Sequence, residues 1–383
     1  MEKIVILGAS RTPIGSFLGS LASVPATRLG AKAIAAAVKD AGIACEHVDE
    51  VFMGCVLSAG TGQGPARQAM IHAGLKPATG ATMVNKVCGS GMRAVMTAAS
   101  FLRAGDAQAA VAGGMESMSR APYLLEKARA GMRLGDGAVV DVILRDGLMD
   151  PFSNIHAGVC GELCAEKHGI TRADQDEFAV MSYERAQKAQ KEGSFASEIT
   201  PVDEVTADEE PLKVNFEKIP KLKTVFKKDG TITAANASKL NDGAAALVLA
   251  TESRAEALGL KPKAELVACA SHSQEPEWFT TAPAQAIEKV LAKAGWKKEE
   301  VDLFEINEAF SVVALVNMKL AGLPKEKVNV FGGAVALGHP IGASGARIIV
   351  TLLNALRVRG GKKGVASICI GGGEALAVAV ELR

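Results

Sequence analysis

The chain has 383 residues, of which 48% are hydrophobic and 22% are charged. This composition is typical of a globular protein with a substantial core and excludes wholesale disorder. Lysine and arginine number 43 against 42 acidic residues, and aromatic residues make up only 4%. The net charge of +1 therefore argues against binding nucleic acid or an acidic membrane through bulk charge. The few aromatic residues argue against a stacking platform for single-stranded nucleic acid.

The N-terminus and the cysteines bear on the cellular compartment. Residues 1–8 are too short for a signal peptide and predict a first strand. No apolar run reaches the roughly 18 residues of a membrane span, since Lys319 and Arg347 interrupt the longest candidates. The seven cysteines, an odd number, do not form a disulfide framework. We expect a protein of the reducing cytoplasm without a membrane partner.

Three short matches in the same order indicate an internal repeat. Residues 41–49 resemble residues 294–302 at a shift of 253. Further along, Ser-Gly-Met-Arg at 90–93 resembles Ser-Gly-Ala-Arg at 344–347, a shift of 254, and 113–116 resembles 371–374, a shift of 258. Each match alone is weak, but three at nearly one offset are hard to attribute to chance. An alternative explanation is that two α/β halves use similar turns without a common origin. Both explanations predict the same positions for these residues in the fold.

The repeat predicts the fold class and the domain organisation. In each copy an apolar, strand-like run leads to a glycine-rich turn and an alanine-rich helix, which is typical of an α/β fold with a mixed sheet covered on both faces. After Glu374 the second copy continues directly into a strand, whereas the first reaches the equivalent strand only after a long detour, an excursion typical of a binding domain. A capping box at Thr171 and Asp174 opens a helix within this detour. The predicted units are a first half of residues 1–117 plus 241–261, an inserted domain of residues 118–240, and a second half of residues 262–383.

Cys88 lies at a predicted strand-to-helix elbow. The free N–H groups and the positive end of a helix dipole lower the pKa of a thiol and favour a nucleophile. A buried structural cysteine is nevertheless the commoner case. The equivalent elbow of the second copy carries His339. If the halves pack about a pseudo-twofold axis, the elbows converge and bring His339 to Cys88, which is the pairing that nucleophilic catalysis needs.

Two further segments are weaker signals. Cys369 ends an apolar run and precedes three glycines, whose backbone N–H groups could approach a ligand or could allow tight strand packing. Asn307 opens the segment Asn-Glu-Ala-Phe after another apolar run, where it could take part in chemistry or cap a helix. On the residues alone, both alternatives stay open for each segment.

Two other patterns do not fit the chemistry that they suggest. Cys160, Cys164 and His168 recur every four residues, but eight helical residues span about 12 Å, which places Cys160 too far from His168 to share one ion. The sequence contains neither a phosphate-binding loop nor a well-placed dinucleotide fingerprint. We therefore expect no metal centre and no nucleotide hydrolysis or nicotinamide chemistry.

Four segments together resemble the signature blocks of the thiolase family. They occur in the family's order as NKVCGSG at 85–91, NEAF at 307–310, GGAVALGHPIG at 332–342 and CIGGG at 369–373. The resemblance covers essentially the whole chain and is strongest for the biosynthetic branch, whose activity is acetyl-CoA C-acetyltransferase. It implies a thiolase-like fold of two five-stranded α/β halves with an inserted loop domain. It also implies a homo-oligomer, either a dimer or a tetramer.

The same resemblance implies ping-pong chemistry. Cys88 takes an acetyl group while His339 accepts its proton, and Cys369 then removes the α-proton of a second acetyl-CoA to give acetoacetyl-CoA. One oxyanion hole is formed by His339 and a water held by Asn307, and Glu308 orients the surroundings of Asn307. The backbone N–H groups of Cys88 and Gly371 form the other hole. Coenzyme A and acyl-CoA are therefore expected as substrates, without a permanently bound cofactor.

By the same resemblance, several residues contact coenzyme A or the acyl group. The coenzyme contacts are His156, Lys223, Phe226, Ala234, Ser238, Ala309 and Phe310. In the acyl pocket, Ala157 and Phe279 stand where biosynthetic relatives usually have methionine, so one position gains space and the other loses it. Lys223 replaces a more usual arginine, which keeps the charge but loses a planar contact.

These departures leave alternatives. Within the enzyme class, the chain could be a thiolase that degrades longer or branched 3-ketoacyl-CoAs. From another class, it could be a non-catalytic acyl-CoA-binding or scaffold subunit. Such a subunit is expected to have lost a catalytic residue, whereas this chain retains Cys88, Asn307, His339 and Cys369.

Overall fold

A mixed sheet of ten strands is the framework of the computed structural model, which describes residues 2–383. The strands of the chain are β1 (Ile4–Arg11), β2 (Gly15–Ser16), β3 (Glu50–Gly54), β4 (Gly80–Val84), β5 (Ala109–Ser117), β6 (Tyr123–Leu124), β7 (Val140–Asp141), β8 (Met149–Asp150), β9 (Ile155–His156), β10 (Asn241–Thr251), β11 (Ala264–Ser273), β12 (Leu303–Ile306), β13 (Lys363–Ile370) and β14 (Glu374–Leu382). The helices are α1 (Ala26–Ala41), α2 (Pro65–His72), α3 (Ser90–Ala104), α4 (Ala157–His168), α5 (Arg172–Lys191), α6 (Glu252–Ala257), α7 (Ala282–Ala294), α8 (Ser311–Ala321), α9 (Ala334–Leu337) and α10 (Ile341–Arg359).

The order of the strands is symmetric about the junction of β1 and β11. The first half runs β4-β3-β5-β10-β1, and the second continues as β11-β14-β13-β12. At the junction β1 and β11 pair antiparallel through Val5 with Glu265 and Ile6 with Ala264. The counterpart of β4 in the second half is a single parallel bridge at Val328. The fold is thus the expected pair of mixed-sheet halves, but the second half has four full strands where the resemblance implied five.

The two halves differ at one equivalent strand junction. In the second half, residues 371–373 join β13 directly to β14. In the first half, β5 and β10 also pair antiparallel as neighbours, yet residues 118–240 lie between them in sequence. This segment contains α4, α5 and two small two-stranded sheets, β6 with β7 and β8 with β9. The capping box that opens α5 at Thr171 and Asp174 is confirmed, whereas the exact division into domains stays a prediction.

A repeated aspartate supports the internal symmetry. One carboxylate oxygen of Asp49 accepts hydrogen bonds from the backbone N–H groups of residues 108 and 109, at 2.8 and 3.1 Å. In the second half, Asp302 accepts from residues 362 and 363 at 2.7 and 2.9 Å. Both aspartates belong to the first of the three sequence matches, and each fixes the start of the equivalent strand, β5 or β13.

Two helices lie between the halves. α10 packs on β5 and β10 of the first half and on β12 and β13 of the second, and α3 packs beside it. On the outer faces, α1 and α2 cover the first half, while α7 and α8 cover the second. α10 is long and apolar enough to cross a membrane, but 89% of its most apolar stretch is buried inside the molecule. Its hydropathy is therefore explained by its place in the central core.

Candidate active site

The helices α3 and α10 cross with their backbones in contact. A Cβ atom on Gly91 would lie 2.8 Å from the backbone nitrogen of Ala346, and one on Gly345 would lie 2.5 Å from that of Met92. Since side chains do not fit at such distances, both glycines are required by the crossing. The Ser-Gly-x-Arg match between the repeats marks this crossing. It places the first turn of α3, which follows Cys88, beside the first turn of α10, which follows His339.

Cys88 sits on a tightly constrained elbow and is partly exposed. The preceding Val87 has a φ of +46°, which is rare for a β-branched residue and persists only where the surroundings hold it. The hydroxyl of Ser90 donates to the carbonyl of Val87 at 2.6 Å and accepts from the backbone N–H of Lys86 at 2.9 Å. Burial raises the pKa of the Cys88 thiol to about 11, although the backbone N–H of Gly371 acts in the opposite direction. The expectation of a lowered pKa for Cys88 is therefore wrong, because desolvation outweighs the hydrogen bonds from the backbone N–H groups of Cys88 and Gly371.

Cys369 lies near Cys88, at the end of β13. It is fully buried, and burial followed by the influence of the Cys88 thiol raises the pKa of Cys369 well above its ordinary value. Two residues later, the backbone N–H of Gly371 interacts with the thiol of Cys88. The structure thus brings together Cys88, Cys369 and the backbone of Gly371, three of the positions predicted from the sequence.

The surroundings of His339 identify which ring nitrogen is free to act as a base. His339 is only 5% exposed, and its backbone N–H donates to Asn241 at 2.9 Å. Its Nδ1 lies 2.6 Å from the hydroxyl of Ser344, which itself donates to the carbonyl of Pro340 at 3.0 Å. When the hydroxyl proton goes to Pro340, Nδ1–H is the donor to Ser344 and Nε2 carries the lone pair. Burial, with a smaller effect from the charge of Arg347, lowers the pKa of His339 to about 3 and keeps the ring neutral.

Asn307 and Glu308 follow β12 and are both fully buried. The amide nitrogen and oxygen of Asn307 have no hydrogen-bond partner among the residues that the structure describes. Glu308, in contrast, accepts from Ser182 at 2.8 Å, from Asn329 at 2.7 Å and from the backbone N–H of Val335 at 3.0 Å. Burial raises the pKa of Glu308. A firmly held glutamate therefore stands next to an amide whose hydrogen-bonding groups are available to a water or a substrate.

A cavity of about 610 Å³ reaches the imidazole of His339. Its wall includes five of the residues predicted to contact coenzyme A, namely His156, Phe226, Ala234, Ser238 and Phe310. Ala309 lies buried behind this wall, where its carbonyl accepts the backbone N–H of Ser238 at 3.0 Å. Lys223 is exposed on the surface and does not line the cavity.

The comparisons with known proteins show the family of the chain. Residues 4–253 match the family profile described as "Thiolase, N-terminal domain", and residues 260–382 match "Thiolase, C-terminal domain". The chain belongs to the thiolase family.

Relatives of known name match over their full length. The chain is 50% identical to a protein of Schizosaccharomyces pombe named acetyl-CoA acetyltransferase, covering 99% of this chain and 98% of the relative. It is 52% identical to the mitochondrial acetyl-CoA acetyltransferase of Rattus norvegicus, covering 100% and 91%. Among solved structures, the Acat5 thiolase of Ascaris suum in complex with coenzyme A superposes with a TM-score of 0.97 at 43% identity, and each chain is covered completely. The acetyl-CoA acetyltransferase of Syntrophomonas wolfei gives a TM-score of 0.96 at 42% identity, covering 100% and 99%.

In this thiolase, stacked rings form one wall of the large cavity. The rings of His156 and Phe226 stack with centroids 4.7 Å apart, and Phe226 meets the edge of Phe310 at 5.9 Å. Nδ1 of His156 also accepts the backbone N–H of Gly158 at 2.9 Å, so this side chain caps α4. Burial lowers the pKa of His156. The stacking and the capping hydrogen bond therefore hold the imidazole of His156 in place, and its lowered pKa keeps this part of the wall uncharged at neutral pH.

A second cavity, of about 360 Å³, adjoins the two cysteine loops. Val87 and Gly371 line it, and so do Ala157 and Phe279, the two positions predicted for the acyl pocket of this thiolase. Phe279 is buried, whereas Ala157 is partly exposed. The structure thus places both pocket residues beside the two cysteine loops.

Sequence reasoning missed several residues of the site. Ser344 was available as the repeat equivalent of Ser90, but only the structure reveals its contact with His339. Lys239 lines the large cavity, where its ammonium group donates to Tyr183 and to backbone carbonyls. Further cavity residues are Met118, Leu148, Lys213, Leu240 and Ile341. Met118, Leu148, Leu240 and Ile341 carry no chemical signature in sequence, because the apolar side chains of a cavity wall are of the same types as those of the core.

No group of three or more metal-ligating side chains occurs within residues 2–383. Cys160 and Cys164 are buried on α4 in an apolar cluster with Phe279. All seven cysteines of this thiolase are free thiols.

Proposed function

We propose that the chain is an acetyl-CoA C-acetyltransferase, which reversibly condenses two acetyl-CoA molecules to acetoacetyl-CoA and coenzyme A through an acetyl-cysteine intermediate. The names of relatives that are about half identical over the whole chain support this activity. The observation that carries it is the meeting of two elbows at the α3–α10 crossing, with Cys369 and Gly371 beside the first and the large cavity reaching the second.

In the first half-reaction Cys88 attacks the thioester of acetyl-CoA. At neutral pH the thiol of Cys88 and the ring of His339 are both uncharged, because their pKa values are about 11 and about 3. The proton therefore moves to Nε2 of His339 as the sulfur attacks, and from there to the departing coenzyme A thiolate. The backbone N–H groups of Cys88 and Gly371 stabilise the oxyanion that forms.

In the second half-reaction Cys369 acts as the base. Its proton passes to Nε2 of His339, which turns that nitrogen into a donor toward the thioester oxygen of the second acetyl-CoA. The Cys369 thiolate then removes the α-proton, and a water held by Asn307 supplies the second hydrogen bond to the enolate oxygen. The enolate carbon attacks the acetyl group on Cys88, whose thiolate recovers the proton from His339. Every proton is accounted for, and Cys369 is left protonated, ready to return it in the reverse direction.

Coenzyme A enters this scheme as a substrate that occupies the large cavity. His156, Phe226 and Phe310 provide an apolar wall for the pantetheine chain, supported by their stacking. Ala234 and Ser238 complete the wall. Ala309 supports the wall from the side away from the cavity, where its carbonyl accepts the backbone N–H of Ser238. The exposed Lys223 contacts the phosphates at the nucleotide end of coenzyme A.

A second candidate is a thiolase that degrades longer or branched 3-ketoacyl-CoAs. It is favoured by the cavity of about 360 Å³ around Ala157 and Phe279, which is much larger than the methyl end of an acetyl group. Both candidates use the same catalytic residues. They differ only in how this second cavity is filled.

Thiolysis tests the two candidates and the scaffold alternative together. Acetoacetyl-CoA, 3-ketohexanoyl-CoA and 2-methylacetoacetyl-CoA are each incubated with coenzyme A and the folded protein. Fast cleavage of acetoacetyl-CoA alone supports the acetyltransferase. Preference for a longer or branched substrate supports the degradative enzyme, and no cleavage of any substrate supports a non-catalytic scaffold.

Mass spectrometry of acetyl-CoA-treated variants then separates the roles of the cysteines. Cys88→Ala is expected to form no acetyl adduct, whereas Cys369→Ala is expected to be acetylated on Cys88 but not to condense. An adduct on Cys369 in the unaltered protein would reverse the two roles.

The assembly and the compartment are further proposals. Homo-oligomer formation, as a dimer or a tetramer, is supported by exposed apolar side chains between β6 and β7, including Leu134 at 99% exposure and Val139 at 59%. Light scattering of the purified protein measures the mass directly. A cytoplasmic location is supported by the free thiols. Relatives carry both cytosolic and mitochondrial names, so fractionation of cells is the deciding measurement.

A further inference from the structure

Two glutamates that are matched in the sequence repeat lie on the non-equivalent strands β5 and β14, and each contacts the elbow of the opposite half. Glu116, at the end of β5 in the first half, accepts the backbone N–H of Gly342 in the first turn of α10 at 2.9 Å. It also accepts from the backbone of residues 56 and 57, at 3.0 and 3.2 Å. Glu374, its counterpart in the sequence match, lies at the start of β14 and accepts from the ammonium group of Lys86 at 2.6 Å. Each glutamate therefore connects its own half to the elbow of the other half.

The pair of Lys86 and Glu374 spans the junction of the two cysteine loops. Lys86 lies two residues before Cys88, and Glu374 lies three residues after Gly371. The second oxygen of Glu374 accepts from the hydroxyl of Ser273 at 3.1 Å, which fixes the carboxylate on the sheet of the second half. The pair thus joins the loop that carries the nucleophile to the loop that carries the backbone N–H beside it.

Both loops need such a connection because their backbones are strained or intrinsically flexible. Val87 holds a φ of +46° on one side, and Gly372 and Gly373 hold +93° and +88° on the other. Conformations of this kind persist only where neighbouring groups determine them, and glycine adds freedom rather than restricting it. The side chains of the pair are 20% and 31% exposed, and such partly exposed ion pairs contribute little to global stability. Their effect is therefore expected on local geometry.

We propose that Lys86 and Glu374 are positioning residues, which hold the N–H groups of Cys88 and Gly371 at the separation that the oxyanion of the acyl transfer requires. The inference rests on the proposed function for its catalytic consequence. Neither side chain touches the reacting atoms. Small displacements of groups that stabilise a transition state are costly in rate, whereas binding of coenzyme A in the separate large cavity does not depend on this junction.

The test is a charge-swap cycle in the full-length protein. The variants are Lys86→Met, Glu374→Gln, the two combined, and the exchange Lys86→Glu with Glu374→Lys. Each single change is expected to lower kcat for acetoacetyl-CoA thiolysis about tenfold, with KM for coenzyme A within about twofold of the unaltered value. The combined variant is expected to be no slower than either single one, and the exchange is expected to recover most of the loss, since the interaction is shared.

A matched control breaks a similar ion pair elsewhere. Lys363 and Glu300 lie 3.1 Å apart with side chains 25% and 45% exposed, at the end of β13 remote from Cys369. Lys363→Met is expected to leave kcat and KM unchanged. Three results would each overturn the inference. The single variants could keep an unchanged kcat, or their losses could multiply in the combined variant. The exchange could also recover no activity while thermal unfolding is unaltered.

The rate at which iodoacetamide alkylates Cys88 is a second measurement, and it does not require catalytic turnover. The rate is followed by mass spectrometry of the intact protein. The single variants are expected to change this rate several-fold, and the exchange is expected to restore it. If the unaltered protein fails to cleave acetoacetyl-CoA, the proposed function fails, while the alkylation rates still test the ion pair. Equal alkylation rates in all variants would overturn the positioning role even in an active enzyme.

Discussion

The two elbows at the centre of the molecule share the Ser-Gly-x-Arg segment but hold Cys88 and His339, the proposed nucleophile and base, differently. Ser90 bonds to backbone atoms of the elbow that carries Cys88. Its equivalent, Ser344, bonds to the backbone of Pro340 and also to the imidazole of His339. A duplicated framework can therefore present two chemically different groups, because a serine at the same position reaches the main chain in one copy and a side chain in the other.

The strand junctions of the two halves show a second division of roles. The short glycine turn after β13 brings a backbone N–H to the thiol of Cys88. The equivalent junction after β5 is opened by residues 118–240, which supply most of the wall of the large cavity. The junction of the second half is thus a tight turn beside Cys88, whereas the junction of the first half is a long insertion that encloses most of the large cavity.

The largest expected effect comes from removing the base on the second elbow. His339→Gln is expected to lower kcat for thiolysis about 10³-fold, since general base catalysis by a positioned side chain contributes rate factors of this order. With a pKa of about 11, Cys88 cannot compensate by ionising near neutral pH. Steady-state kinetics at matched folded content, checked by circular dichroism, gives the measurement.

The raised pKa of Cys88 predicts how the alkylation of this thiol depends on pH. In the unaltered protein the rate of Cys88 alkylation is expected to rise about tenfold per pH unit from about pH 7 to about pH 10, because the thiolate fraction grows until the pH reaches the pKa. A rate that levels off near pH 7 would instead mean that the helix dipole outweighs burial at this elbow.

A smaller effect is expected from the two equivalent serines. Ser344→Ala removes the acceptor that orients the imidazole of His339 and is expected to lower kcat about tenfold, which corresponds to about 1.4 kcal/mol. Ser90→Ala is the matched variant, and its kcat is expected to fall less, because Ser90 bonds to the main chain. The measurement is the steady-state kcat of each single variant and of the double variant. A larger loss of kcat from Ser90→Ala than from Ser344→Ala would contradict the distinction drawn between the elbows.

The smallest effect on activity is expected from the repeated aspartates, which lie outside the site. Asp49→Ala and Asp302→Ala each remove two hydrogen bonds to backbone N–H groups and are expected to lower the free energy of unfolding by about 1–2 kcal/mol, with kcat unchanged. Urea unfolding measures both. Markedly different losses would show that the two halves do not share their stabilising contacts equally.

The repeat and the family motifs allowed the fold, the two elbows and the cysteines of the site to be predicted from the sequence. The raised pKa of Cys88 could not be predicted, because the helix dipole and desolvation act in opposite directions and the extent of burial is set by tertiary packing. The ion pair of Lys86 and Glu374 joins residues 288 positions apart, and neither charge differs from a surface charge in sequence. In the second half the counterpart of the edge strand β4 is only a bridge at Val328, and no local sequence pattern predicts this difference either.

The narrow junction between the halves has a mechanical consequence. β1 and β11 pair at only two positions, so the sheet offers little resistance to a hinge motion of one half against the other. Such a motion is opposed by the packing of α10 on strands of both halves and by the crossing of α3 and α10, where Gly91 and Gly345 let the backbones touch. The separation of Cys88 and His339 is therefore tied to the packing between the halves, and at the helix crossing this packing depends on two residues that have no side chain.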